Sequence, residues 1–154
     1  RGERGMKKFQ FSLDTVLSYK QQIQDSLQSE HAESLARVRR QEKLLDELLA
    51  KYRAYCAEYR ERCEAGLPIT DVLVYQSGLR AMEREIEKAS AHLEELRRQE
   101  EKKRMEFIEA KRETASIEKL REKKLQDYQK ALDKSNELFI EEFVSTGRVR
   151  DAAN

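Results

Sequence analysis

The chain has 154 residues, of which 40% are Asp, Glu, Lys or Arg and 38% are hydrophobic, and its formal net charge is +1. An ordinary soluble domain is about 25% charged and about 45–50% apolar, so this chain has too little apolar material for a large globular core. One proline and five glycines do not supply the turns of a sandwich, a barrel or a doubly wound sheet. Just over half of the residues are Ala, Glu, Lys, Leu or Arg, which is typical of a long helix or a coiled coil.

The first predicted helix spans about residues 12–64. Residues 1–5 precede Met6, and we interpret them as a remnant ahead of the natural start. Ser12 is a suitable helix cap, and Asp14 suits the first turn because a negative charge is stabilised at a helix N-terminus. Apolar residues then recur at heptad spacing, most regularly between Val38 and Tyr59.

A single strong helix breaker follows, at residues 65–69. Gly66 ends the first helix and Pro68 prevents its continuation. Thr70 is the predicted cap of a second helix over about residues 70–145, with Ile69 before it and a flexible tail over 146–154 after it. The sequence therefore predicts one all-α domain, residues 6–145, in which two helices form an antiparallel coiled-coil hairpin.

The short turn also predicts which residues face each other. The numbers of facing residues should sum to 134, and charged residues of the second helix then meet polar residues of the first. The facing pairs include Val38/Leu96, Tyr59/Tyr75, Ser34/Glu100 and His31/Lys103. The polar pairs can be interpreted as a solvated weak segment, as a key that fixes the register, or as a flexible joint.

The second helix is predicted to be longer than the first. Residues 122–145 project beyond the partner helix in this register, and residues 6–12 can cover only the beginning of the projection. The overhang still carries apolar side chains, namely Leu125, Tyr128, Leu132, Phe139 and Phe143. An apolar stripe without cover inside the chain implies a partner.

No catalytic or metal-binding motif is present in the sequence. No glycine-rich phosphate loop can be built from these glycines. Cys56 and Cys63 lie seven residues apart, about 10.5 Å along a helix, which is too far for a disulfide. The many carboxylates alternate with basic residues at helical i,i+4 spacing, the pattern of an exposed helix face. We therefore expect no enzyme, no cofactor, no metal site and no nucleic-acid partner.

Three stretches resemble the FliJ family, the coiled-coil proteins of the flagellar type III export apparatus. The first is Phe9-Gln10-Phe11-Ser12-Leu13-Asp14-Thr15-Val16-Leu17. The second runs from Gly66-Leu67-Pro68 to Tyr75-Gln76 and Leu79. The third is Ile117-Glu118-Lys119-Leu120-Arg121-Glu122-Lys123-Lys124 followed by Tyr128.

The resemblance implies a non-enzymatic, cytoplasmic export component at the cytoplasmic face of the inner membrane, held there by its partners alone. Family members insert the end that bears both termini into the hexameric export ATPase, bind the cytoplasmic domain of the export gate after the turn, and escort export chaperones. The ATPase-binding residues implied here are Phe9, Phe11, Leu125, Tyr128 and Leu132. The gate-binding residues implied are Tyr75, Leu79, Met82 and Glu85, near Gly78, where some members carry a bulky apolar residue.

A second hypothesis comes from the residues alone. The chain could be a generic coiled-coil chaperone or scaffold that associates with itself through the overhang. Sedimentation separates the two hypotheses, because a stable dimer or tetramer that buries residues 122–145 favours the scaffold.

Overall fold

The computed structural model describes residues 7–153, most of which lie in two long helices. Helix α1 spans Asp14–Ala65 and helix α2 spans Ile69–Ala153. The two helices pack against each other in antiparallel sense and the described residues contain no strand, so the predicted all-α hairpin with a longer second helix is confirmed. The predicted remnant over residues 1–5 lies outside the described residues.

The helix ends follow from local backbone chemistry. The Asp14 amide donates to the Phe11 carbonyl at 3.1 Å, so Ser12 lies in a turn and α1 begins at Asp14. Gly66 has a φ of 93°, a left-handed conformation that costs glycine little, and this ends α1. The Pro68 carbonyl accepts the amide of Asp71 at 3.0 Å. Helix α2 therefore begins before Thr70, and the prediction that Thr70 caps it is wrong.

The predicted helix end at Thr146-Gly147 is also wrong, because α2 continues to Ala153. Gly147 does not have the positive φ of a helix-ending glycine. The Thr146 hydroxyl donates to the Glu142 carbonyl at 2.9 Å, a bond that keeps threonine inside the helix. One glycine inside a helix costs only about 1 kcal/mol relative to alanine, which is too little to end it.

Contacts divide the chain into two units. The hairpin unit is residues 25–109, and the terminal unit joins the residues up to 24 with those from 110 onward. The core of the hairpin unit is a cluster of Val38, Leu93 and Leu96, with Leu45 packed against it. Val38 and Leu96 are a predicted facing pair, as are Tyr59 and Tyr75, whose ring centroids lie 5.2 Å apart. The predicted register is confirmed in this unit.

The terminal unit has a small apolar core and an ionic rim. Its buried residues are Phe11, Leu17, Ala110 and Thr114. Lys20 donates to Glu113 at 2.8 Å, and Arg121 donates to Asp14 at 3.2 Å. This hydrogen bond, donated by Lys20 to Glu113, raises the pKa of Lys20 above its ordinary value. Partner numbers in these pairs sum to within one residue of 134, so the same register holds here.

Candidate partner-binding surfaces

The described residues offer surfaces for partners rather than an enclosed site. No group of three or more His, Cys, Asp or Glu within residues 7–153 is arranged to hold a metal ion. None of the helices in that range is long and apolar enough to cross a membrane. The surfaces that the described residues do offer are exposed apolar side chains and the regions around the predicted contact residues.

The N-terminal clasp, residues 7–13, lies against helix α2. The ring centroids of Phe9 and Tyr128 are 5.6 Å apart, and the Arg121 guanidinium lies 5.6 Å from the Phe9 ring. Phe11 is buried, with only 8% of its surface exposed. An aromatic ring between a tyrosine and a guanidinium gains both ring packing and a cation–π contact. The clasp is therefore held by specific contacts although it is not helical.

The clasp covers the beginning of the overhang. Leu125, Tyr128 and Leu132 are all half-buried, so the structure brings the implied ATPase-binding residues together in one unit. Phe9 is half-buried as well, and Phe11 has almost no free surface. Because they are buried or half-buried, these residues offer less surface to a partner than the sequence alone indicates.

Among the residues that the structure describes, none covers the end of helix α2 beyond Ser135. Every residue from 136 to 153 is exposed. Four apolar side chains there lie on one side of the helix, because their spacing is i, i+1, i+4 and i+5. We call this set the terminal apolar face: Phe139, Ile140, Phe143 and Val144, which are between 43% and 74% exposed. Leu132 and Phe139 are one heptad apart, so the face continues the side that the clasp covers.

The implied gate-binding residues lie mostly inside the hairpin unit. Tyr75 is 8% exposed, and its ring centroid lies 5.1 Å from that of Tyr55. Burial, followed by the hydrogen bond that its hydroxyl donates to Glu58 at 3.1 Å, raises the pKa of Tyr75. Leu79 and Met82 are half-buried, and only Glu85 is exposed. Three of the four residues therefore stabilise the hairpin itself.

Gly78 has a packing role that the sequence did not reveal. A Cβ atom at this position would lie 2.5 Å from the Tyr55 hydroxyl and 3.0 Å from the ring carbon that bears it. Real side chains do not approach so closely. Glycine here leaves room for Tyr55 to reach Tyr75, so the absence of a bulky residue at position 78 is explained by the aromatic packing.

An exposed apolar patch near the turn was missed. Ile69, Leu73 and Val74 are 71%, 59% and 66% exposed. A signal was available in the sequence, because Leu73 and Val74 are apolar but do not occupy the heptad positions that face the first helix. These residues lie next to Tyr75, at the same end of the hairpin unit.

The polar pairs of the hairpin unit form a partly buried ionic cluster. His31 Nε2 lies 2.7 Å from Glu100 Oε1, and these side chains are 20% and 19% exposed. Lys103 donates to Glu30 at 3.1 Å, and this bond raises the pKa of Lys103. Polar residues meet polar residues as predicted. Within this register the side chains of His31 and Lys103 do not bond to each other, because each basic side chain lies against a carboxylate, Glu100 for His31 and Glu30 for Lys103.

Comparison with known proteins gives one match. The family model described as "Flagellar FliJ protein" matches residues 9–150, nearly the whole chain. Searches of curated proteins and of solved structures each found no match. The matched range begins at Phe9 in the clasp and includes the turn, the aromatic contacts around Tyr75 and the terminal apolar face. The chain therefore belongs to the FliJ family of flagellar export components.

Proposed function

We propose that this chain is a stalk-like adaptor that binds the hexameric flagellar export ATPase through its terminal unit. The observation that carries the proposal is the terminal apolar face, four neighbouring apolar side chains that are exposed in the described part of the chain. Exposed apolar groups lower their free energy by leaving water, by about 25 cal/mol for each Å² buried. A face of this kind is the usual mark of a protein–protein contact.

The burial of the clasp residues and of their neighbours on α2 determines how much surface they can offer to the ATPase. Phe9, Leu125, Tyr128 and Leu132 are half-buried and keep part of their surface for a partner. Phe11 serves mainly to hold the clasp, because it is almost fully buried. We expect the contact to begin at Phe9 and Tyr128 and to extend along α2 over the terminal apolar face.

The proposed mechanism is a shift in the conformations of the ATPase ring. A ligand changes such an equilibrium only by binding one conformation better than another. Helix α2 presents different side chains on its different sides, so subunits around it would meet different surfaces. The adaptor would thereby promote ring assembly and change the rate of ATP hydrolysis without catalysing a reaction itself.

The export gate and the export chaperones are the other proposed partners. We propose that the gate binds near the turn, where Glu85 is exposed and the patch of Ile69, Leu73 and Val74 supplies apolar surface. Tyr75, Leu79 and Met82 would then support this surface from inside the hairpin unit. These partners would hold the chain at the cytoplasmic face of the inner membrane.

A pair of matched double variants tests ATPase binding. Phe139→Glu with Phe143→Glu places two charges on the terminal apolar face, whereas Leu138→Glu with Val149→Glu places two charges on the opposite side of the same helix. Both pairs replace exposed apolar residues, so folding is affected equally little. Loss of two aromatic contacts should weaken binding by about 100-fold or more.

The readouts are co-sedimentation with the cognate ATPase and the rate of ATP hydrolysis. We expect the first double variant to lose both binding and any change in hydrolysis, while the second keeps them. Equal behaviour of the two variants would contradict the proposal.

A further inference from the structure

We infer that the terminal apolar face binds an apolar groove whose edges carry lysine or arginine side chains. This groove would be the surface of the ATPase that receives helix α2, so the inference rests on the proposed function. Two features of α2 carry it: the width of the exposed apolar face, and the charge of the residues on both sides of that face.

The width of the terminal apolar face indicates a groove rather than a flat surface. Successive residues of an α-helix are about 100° apart around its axis, so the arc from Phe139 to Val144 that contains the whole face is about 140° wide. All four side chains are at least 43% exposed. A flat surface touches a narrow stripe of a helix, whereas a groove contacts both edges of so wide a face. The complementary partner surface therefore curves around α2.

The charged residues beside the face are all acidic. Within residues 135–147 they are Glu137, Glu141 and Glu142, and there is no Lys or Arg. Glu137 and Glu141 lie beyond one edge of the face and Glu142 lies beyond the other, by about 20–60° around the helix axis. All three are exposed. A partner that enclosed the face would therefore bring its own edges close to carboxylates on both sides.

Helix α2 itself does not neutralise these carboxylates. Elsewhere in the chain, glutamates form ion pairs one helical turn away, such as Glu101 with Arg104 at 2.6 Å. Neither Glu141 nor Glu142 has a basic residue three or four positions away, and no ion pair between described residues includes either of them. Glu137 and Glu141 are four residues apart, a spacing at which like charges destabilise a helix slightly. These carboxylates are therefore available to a partner.

The sign of the charge selects among the possible occupants. Carboxylates are repelled by the phosphates of nucleic acids and by the headgroups of anionic lipids. A second copy centred on the same face would place glutamates beside glutamates, which is unfavourable. Lysine or arginine at the edges of an apolar groove would instead form charge-assisted contacts with the carboxylates. A protein groove of this chemistry therefore fits both the apolar face and its acidic flanks.

Charge-neutral variants with a matched control test the inference on the cognate ATPase. Glu141→Gln with Glu142→Gln removes two flanking charges, while Asp46→Asn with Glu47→Gln removes two adjacent exposed charges in the hairpin unit. Both variants have the same net charge, and both keep the terminal apolar face intact. Stopped-flow mixing gives the association and dissociation rates at about 50 mM and about 500 mM salt, between which the screening length falls from about 14 Å to about 4 Å.

The first variant should associate about 5–10-fold more slowly than the original chain at the lower salt concentration, with dissociation changed by less than about twofold. The difference should disappear at the higher concentration, and the control should match the original chain at both. Equal association rates of all three proteins at the lower concentration would overturn the inference. Binding of the original chain to vesicles with about 30% phosphatidylserine, if Phe139→Glu with Phe143→Glu abolishes it, would also overturn it.

The aromatic variants separate a failure of this inference from a failure of the proposed function. If the original chain binds the ATPase and Phe139→Glu with Phe143→Glu abolishes binding, the proposed contact stands even when the glutamine variant associates normally, and only the cationic groove is contradicted. If the original chain does not bind the ATPase at all, both are contradicted.

Discussion

The hairpin unit and the terminal unit are built from the same kind of amphipathic helix. Its apolar side chains are buried in the hairpin unit and largely exposed at the end of the terminal unit. In the hairpin unit, apolar residues of α2 meet counterparts on α1, and Leu93 is only 4% exposed. In the terminal unit, α2 continues past its last counterparts, and Phe143 is 74% exposed. The apolar residue itself does not decide between core and contact surface. The presence of an opposing residue in the same chain decides it.

The two units should differ most in the free energy of unfolding that is lost when leucine is replaced by alanine in each. Leu93→Ala removes a side chain from the core cluster and should lower the free energy of unfolding by about 2–4 kcal/mol. Leu138→Ala removes the same atoms from an exposed position and should change it by about 0.5 kcal/mol or less. Urea unfolding followed by circular dichroism measures both values, and similar losses would contradict the comparison.

Alanine substitution of the two helical glycines, Gly147 and Gly78, should change the free energy of unfolding by smaller amounts and in opposite directions. Gly147→Ala should raise the free energy of unfolding by about 0.5–1 kcal/mol, because helix propensity improves and nothing obstructs the new methyl group. Gly78→Ala gains the same helix propensity, but Tyr55 must move away from Tyr75 at a cost of about 2 kcal/mol, so the net free energy of unfolding should fall by about 1 kcal/mol.

Removal of the Tyr55 hydroxyl supplies the control for the steric argument. Tyr55→Phe deletes the atom that the new Cβ would approach most closely. Gly78→Ala should therefore cost less in the Tyr55→Phe background than in the original chain, measured by the same urea unfolding. An equal cost in both backgrounds would show that Tyr55 is not the obstacle.

The smallest expected effect is a change with pH in the stability that Tyr52 contributes to the hairpin unit. The Tyr52 hydroxyl donates to Glu83 at 2.7 Å, and this bond, followed by desolvation, raises the pKa of Tyr52 to about 12. The folded pKa is thus above the unfolded value of about 10. The contribution to stability is fully present below pH about 10 and is lost as pH rises toward about 12.

Tyr52→Phe isolates this contribution. The difference in free energy of unfolding between the original chain and the variant should be constant from about pH 8 to 9 and should shrink above about pH 10. Urea unfolding at a series of pH values measures it. A difference that grows above pH 10 would contradict the hydrogen-bond assignment.

The sequence was sufficient for the parts of the fold that depend on periodicity. The heptad spacing of Val38, Leu93 and Leu96 and the breaker at Gly66-Pro68 predicted the two helices, the turn and the register. The end of α2 was predicted wrongly, because helix propensity at Thr146 and Gly147 is a weak preference and the helix continues through both. Periodicity alone does not show how far a helix extends beyond its last partner.

The candidate surfaces were only partly predictable, for a different reason. The family resemblance identified residues such as Phe11 and Tyr75 but not their exposure, which depends on side chains from distant parts of the sequence. The sequence predicted cover for the beginning of the overhang, but the particular contacts of Phe9 with Tyr128 and Arg121 depend on tertiary packing. The fit of Gly78 against Tyr55 likewise depends on a close approach between the two helices.

Amide hydrogen exchange with and without the cognate ATPase tests the central claim most directly. Residues 138–147 of α2 are exposed and no described residue packs over them, so their amides should exchange quickly in the free chain. Binding through the terminal apolar face should slow that exchange by about tenfold or more, while the core of the hairpin unit around Leu93 stays unchanged. Unchanged exchange over residues 138–147 in a complex that demonstrably forms would contradict the account.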